Sequence, residues 1–95
     1  MNNSSENINQ YTVIIGIDAQ EFFEASSASL QKKLDRCFER LKIEPRNYPN
    51  IKPLKGELLG YYRYRVSDYR VIYKIDDNIK QVTIILIEHR SRVYE

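Results

Sequence analysis

A chain of 95 residues, 42% hydrophobic and 29% charged, with 15 Lys+Arg against 13 Asp+Glu for a net charge of +2, fits one compact domain that buries roughly 60–70% of its unfolded surface. That size excludes a cleft between two domains, and a single cysteine, Cys37, excludes an internal disulfide framework. No apolar run approaches the roughly 18–20 residues of a bilayer crossing, and the polar start Met1-Asn2-Asn3-Ser4-Ser5-Glu6-Asn7 has neither the basic nor the apolar stretch of a secretory signal, so a cytoplasmic, membrane-free domain is expected.

Residues 1–9 are polar and aperiodic and read as a flexible tail, leaving 10–95 as a single domain. Tyr11 to Ile17 is rich in β-branched residues and reads as a first strand. Asp18-Ala19-Gln20-Glu21 has capping-box spacing and is expected to open a short helix carrying Phe22 and Phe23. Ser26-Ser27 breaks or re-caps that helix. A second helix follows over about Ser29–Ile43, where Leu30, Leu34, Cys37, Phe38 and Leu41 make one apolar stripe and charged residues cover the other side. Cys37 on that stripe reads as a buried, inert thiol. Pro45 stops the helix, and Pro45 to Pro53 reads as a loop.

Three strands are expected next. Leu59 to Val66 alternates, with Tyr62, Tyr64 and Val66 opposite Tyr61, Arg63 and Arg65. Ser67-Asp68 turns the chain into Tyr69–Ile75, where Tyr69, Val71, Tyr73 and Ile75 oppose Arg70, Ile72 and Lys74. Asp76-Asp77-Asn78 makes the next turn, and the apolar run Ile79–Ile87 suits a central strand buried on both faces. The order β-α-α-β-β-β predicts an α+β domain, two N-terminal helices packed on one face of a small, mostly antiparallel four-stranded sheet.

The charge is unevenly spread. Residues 1–44 hold five Lys/Arg and seven Asp/Glu, residues 45–95 ten and six. A basic half on a near-neutral chain is a footprint for a polyanion or simply a solvated sheet face. One His and one Cys far apart make no zinc site, and three scattered glycines make no phosphate loop, so no metal and no cofactor are expected. What remains is Arg63, Arg65 and Arg70 on a common face, with His89, Arg90 and Tyr94 brought alongside by the last strand. Guanidiniums suit phosphate binding and the stabilisation of a charged phosphoryl transition state, and a tyrosine beside them can stack on an unpaired base. Each residue also has a plain structural reading. Arg63 and Arg65 can be solvated strand residues, Arg70 a salt-bridge partner of Asp68 or Glu57, and His89 a strand-end cap. Arg90 and Tyr94 can serve to pin the tail.

Taken together, Pro53-Leu54-Lys55-Gly56-Glu57, Tyr62-Arg63-Tyr64-Arg65-Val66-Ser67-Asp68-Tyr69-Arg70-Val71-Ile72-Tyr73 and His89-Arg90-Ser91-Arg92-Val93-Tyr94 closely resemble the RelE-type toxins of the RelE/ParE superfamily, over about Tyr11 to Tyr94. The resemblance implies a RelE-like microbial RNase fold and a toxin of a type II toxin–antitoxin system. It implies a ribosome-dependent mRNA interferase that cuts the A-site codon through attack of the RNA's own 2′-hydroxyl, without a metal. It also implies a RelB-like antitoxin partner in a hetero-oligomer. The family's basic strand residues correspond to Arg63 and Arg65, its hairpin arginine to Arg70, its last basic residue to Arg90 and its base-stacking tyrosine to Tyr94. Lys52 and Lys55 stand where family members hold backbone phosphate or place a base. Well-known members carry lysine at the positions of Arg63 and Arg65, and a guanidinium is a poor proton acceptor. The general base therefore stays open between His89, Lys52 and Tyr94, with His89 the first candidate because imidazole exchanges protons near neutrality. Two rivals stand beside this reading: a ParE-type poison of DNA gyrase, and a catalytically inactive RNA- or ribosome-binding module.

Overall fold

The computed structural model describes residues 10–92; the expected tail over residues 1–9 and Tyr94 lie outside the described residues. Strand β1 (Thr12–Ile15) runs through Gly16 into helix α1 (Ile17–Ala25), and α2 (Ala28–Ile43) follows after two residues. Then come β2 (Ile51–Pro53), a 3₁₀ turn (Gly56–Leu58), β3 (Tyr61–Val66), β4 (Tyr69–Asp76), β5 (Gln81–His89) and a closing 3₁₀ turn (Arg90–Arg92). The sheet order is β1-β5-β4-β3-β2. β1 pairs parallel to β5, and every other pair is antiparallel.

The sheet thus has five strands where four were expected. β2 is hidden in the proline-rich loop because it is three residues long and ends in Pro53, which lacks an N–H to donate. As an edge strand it can carry that proline. The start of α1 also departs from expectation. Gly16, not Asp18, is the N-cap, with no side-chain cap, and Asp18 sits inside the first turn, where its carboxylate favours the helix dipole. The Gly16 N–H donates to Ile84 O at 2.8 Å, and a Cβ on Gly16 would lie 2.9 Å from that same oxygen. The strand-to-helix turn is therefore built on close backbone contact, which a capping side chain would obstruct. Ser27 does cap α2, its Oγ accepting from the Leu30 N–H at 3.1 Å.

Both helices cover one sheet face. Leu34, Cys37, Phe38 and Leu41 of α2 are buried with Val71, Tyr73, Val82, Ile84 and Ile87 of the sheet, each large side chain contributing about 1.5–3 kcal/mol. Burial pushes the Cys37 thiol far above its ordinary range, outweighing the nearby Arg40 cation, so it is the inert core residue its place on the stripe predicted. Tyrosine hydroxyls on this face find partners. Tyr73 Oη donates to Pro45 O at 2.7 Å, and Tyr64 Oη accepts from Arg40 Nη1 at 3.0 Å. At the far end Arg46 grips Asp77 through Nη1 and Nη2 (3.2 and 2.9 Å), while Tyr11 Oη donates to the same carboxylate at 2.6 Å.

β5 is central, but it is deeply buried on its helix side only, since helices cover a single face; Thr83, Ile85 and Leu86 are half-exposed. It begins at Gln81 rather than Ile79, which is 61% exposed in the preceding turn. Its register against β4 jumps, with Ile72 opposite Leu86 but Tyr73 opposite Ile84. Ile85 is the extra residue of a β-bulge, and it reverses the alternation beyond it. Val82 and Ile84 point to the helices before the bulge, and Ile87 does so after it.

A candidate nucleic-acid interface on the open sheet face

Directly opposed residues of paired strands share a sheet face, so the register assembles the uncovered face row by row. One row is Lys52 (β2), Arg63 (β3), Ile72 (β4) and Leu86 (β5); the next is Arg65, Arg70 and Glu88. These rows floor a cleft of about 570 Å³, walled by Pro53, Leu54, Lys55, Glu57, Leu58 and Tyr61. Five of its lining residues are cationic (Lys52, Lys55, Arg63, Arg65, Arg70) and two are acidic (Glu57, Glu88). Among the described residues no group of three or more His, Cys, Asp or Glu is placed to hold a metal ion.

The cleft is held open by specific contacts. Asn50 O accepts from Arg63 Nη1 at 2.6 Å and from the Arg65 N–H at 3.0 Å, while Asn50 Nδ2 donates to Arg65 O at 3.1 Å. Arg63 is only 7% exposed as a result, and Arg70, between Arg65 and Glu88, is equally buried. Arg65 remains exposed. Arg65 and Arg70 are direct cross-strand neighbours, and two adjacent guanidiniums can grip one phosphate between them.

Of the residues singled out in the sequence, Lys52, Lys55, Arg63, Arg65 and Arg70 come together in this cleft. His89 does not. It lies opposite Tyr69 and meets that ring edge-on at 5.1 Å, and Tyr69 in turn packs on Phe22 of α1. His89 is therefore on the helix side of the sheet, its Nδ1 2.9 Å from Ser91 Oγ. The bulge at Ile85 is the cause. Without it, strict alternation would turn His89 toward the arginines and Glu88 away; with it, Glu88 occupies the cleft. Arg90 is exposed at the same end of the sheet, its N–H donating to Asp68 O at 2.7 Å. Arg70 has Glu88 as its in-register neighbour. Asn50 and Glu88 are the site residues that sequence reasoning missed. Asn50 acts largely through its backbone, and Glu88 is hidden by the bulge.

The fold and site define a class of small α+β domain, two helices on one face of a five-stranded sheet and a cationic cleft on the other. Residues 16–94 match the family model described as "ParE toxin of type II toxin-antitoxin system, parDE", and the chain belongs to that family. Toxin RelG of Mycobacterium tuberculosis is 42% identical over 43 residues, which are 45% of this chain and 49% of that protein. Toxin RelE of the same organism is 49% identical over 43 residues, 45% of this chain and 44% of that protein. The matched stretch thus spans about half the length of each of these relatives. Among solved structures, the RelBE2 toxin–antitoxin complex of Mycobacterium tuberculosis superposes with a TM-score of 0.75 at 29% identity, covering 90% of this chain and 98% of that one. The archaeal RelE–RelB complex of Pyrococcus horikoshii gives 0.77 at 25% identity, covering 88% and 99%. No helix of the described residues is long and apolar enough to cross a membrane.

Proposed function

We propose that the protein is the toxin of a type II toxin–antitoxin pair and acts as a metal-independent endoribonuclease on mRNA in the ribosomal A site. The observation that carries this reading is the pairing of Arg65 with Arg70 on a bare sheet face, beside Lys52, Lys55 and Arg63. Guanidiniums bind phosphate bidentately and hold charge as it builds on the phosphoryl oxygens. In the reaction the 2′-oxygen bonds to the adjacent phosphorus, the bond to the 5′-oxygen breaks, and a 2′,3′-cyclic phosphate and a 5′-hydroxyl result. One proton leaves the 2′-hydroxyl and one reaches the departing oxygen, so no water or metal is consumed. Arg65 and Arg70 hold the scissile phosphate, Lys52, Lys55 and Arg63 the strand around it, and Arg90 extends the basic surface. Stacking of the substrate base falls to Tyr94. A RelB-like antitoxin partners the toxin in the resting cell, in keeping with the two toxin–antitoxin complexes named above.

Primer extension on a defined mRNA paused on ribosomes tests the reading. Cuts within the A-site codon are expected, absent with free RNA and reduced at least 100-fold in Arg70→Ala, as loss of a transition-state charge contact implies. The absence of cuts by the wild type would overturn it. The description of the matching family as ParE favours a second reading, poisoning of DNA gyrase, which would show as DNA damage signalling with intact mRNA.

A further inference from the structure

The proposed cleavage needs a group to take the 2′-hydroxyl proton, and His89 faces the wrong side of the sheet. We propose that Glu88 is the general base. This rests on the nuclease reading and assigns its missing proton acceptor.

The positions support it. Glu88 stands directly opposite Arg70, which stands directly opposite Arg65. Adjacent Cβ atoms in such a row are about 4.5–5.5 Å apart. A phosphate held by Arg65 and Arg70 therefore lies one strand spacing from the Glu88 carboxylate, within reach of a sugar hydroxyl on that phosphate's 3′-linked nucleotide. Glu88 is half-buried in the cleft wall. The other groups facing it are cations: Arg70 and Arg65 in its row, Arg63 and Lys52 in the next, and Lys55 beyond. Arg90 and Asp68 lie at the strand end, and Glu57, the second cleft carboxylate, is exposed on the 3₁₀ turn. Carboxylates are deprotonated at neutral pH, whereas ammonium and guanidinium groups are not. The cleft thus holds an acceptor among donors.

Protons and bonds balance. The 2′-O–H proton passes to a Glu88 oxygen as the 2′-O–P bond forms. The P–O5′ bond breaks, and the 5′-oxygen takes a proton from the Lys52 ammonium. The proton on Glu88 then returns to Lys52 through solvent, and the enzyme is restored.

The experiment is single-turnover cleavage of ribosome-bound mRNA between pH 5.5 and 8, comparing wild type, Glu88→Gln, Glu88→Asp and His89→Gln. A carboxylate base leaves the wild-type rate flat across this range, whereas an imidazole base would lose about tenfold per unit below pH 6.5. Glu88→Gln is expected to cut about 10²–10⁴-fold more slowly, to bind the ribosome at least as well, and to gain a tenfold rise per pH unit as hydroxide replaces the base. Glu88→Asp recovers part of the rate; His89→Gln stays within threefold of wild type. A role confined to orienting Arg70 would lower the rate evenly and leave the pH profile's shape unchanged, overturning the proposal. Wild-type-like cutting by Glu88→Gln would also overturn it, as would a wild-type rate that collapses below pH 6.5. A wild type that cuts nothing overturns the nuclease reading itself, so the two failures are distinct.

Discussion

At Gly16 a single missing methyl group decides the first turn of the fold. Its added Cβ would meet the Ile84 carbonyl oxygen at 2.9 Å, and the backbone hydrogen bond between the same two residues would have to lengthen. Gly16→Ala should lower stability by about 1–3 kcal/mol, the range for overpacking a close contact, read as a lower urea midpoint with an unchanged slope. Cys37 makes a complementary prediction. With its thiol pushed up by burial, it should resist a thiol reagent at pH 8 in the folded protein and react fully in denaturant. Its inertness was legible in advance, because a cysteine in register with Leu34, Phe38 and Leu41 has nowhere else to point. Gly16 was not legible, since nothing local in Ile14-Ile15-Gly16-Ile17 announces a contact with a residue 68 positions later.

Among the elements, periodicity was a sound guide wherever the period held. β3 and β4 alternate without interruption, so Tyr61, Arg63, Arg65 and Arg70 sort to one face and Tyr62, Tyr64, Tyr69 and Tyr73 to the other, as the sequence indicates. β5 does not, because the bulge at Ile85 adds one residue on one strand, and an almost unbroken apolar run gives no sign of where the phase changes. That one residue exchanges His89 for Glu88 in the cleft. β2 escaped for a different reason: three residues ending in proline give no alternation to read, and only pairing with Tyr62–Tyr64 defines them. The clamp between the loop after α2 and the β4–β5 turn was equally invisible, as Arg46 and Asp77 are 31 positions apart. The Arg46 guanidinium, with help from Tyr11, holds the Asp77 carboxyl below its ordinary 3.8. A carboxyl with a lowered folded pKa contributes stability that is complete above its unfolded value and is lost as pH falls through the folded one. The wild type should therefore lose stability relative to Asp77→Asn as pH drops from about 5 to 2. The difference is small, since the pair is solvent-exposed. Melting curves across that range would show the two proteins converging at the acid end; parallel curves would remove the clamp from the account.

For the molecule as a whole, the modest charge of +2 conceals an uneven surface: the two helices balance five Lys/Arg against five Asp/Glu, whereas the cleft on the open sheet holds five cations against two carboxylates. Affinity for RNA should follow that division. Each phosphate neutralised on a single strand releases counterions and adds about 0.7 to the slope of log K against log salt. Five cationic cleft residues, offset by two carboxylates, predict a slope of about −2 to −3.5 for a short unstructured oligonucleotide. Arg65→Ala should reduce its magnitude by about 0.7, because Arg65 is the exposed residue at the end of the row it makes with Arg70 and Glu88. Arg36→Ala, at an arginine exposed on α2, should leave the slope unchanged despite removing the same formal charge. Fluorescence anisotropy between 50 and 300 mM salt separates these outcomes. Equal losses from the two substitutions would mean that net charge alone draws the RNA. A loss from Arg65→Ala only would mean that the strand lies across the sheet, with its phosphates along the row from Arg65 to Arg70.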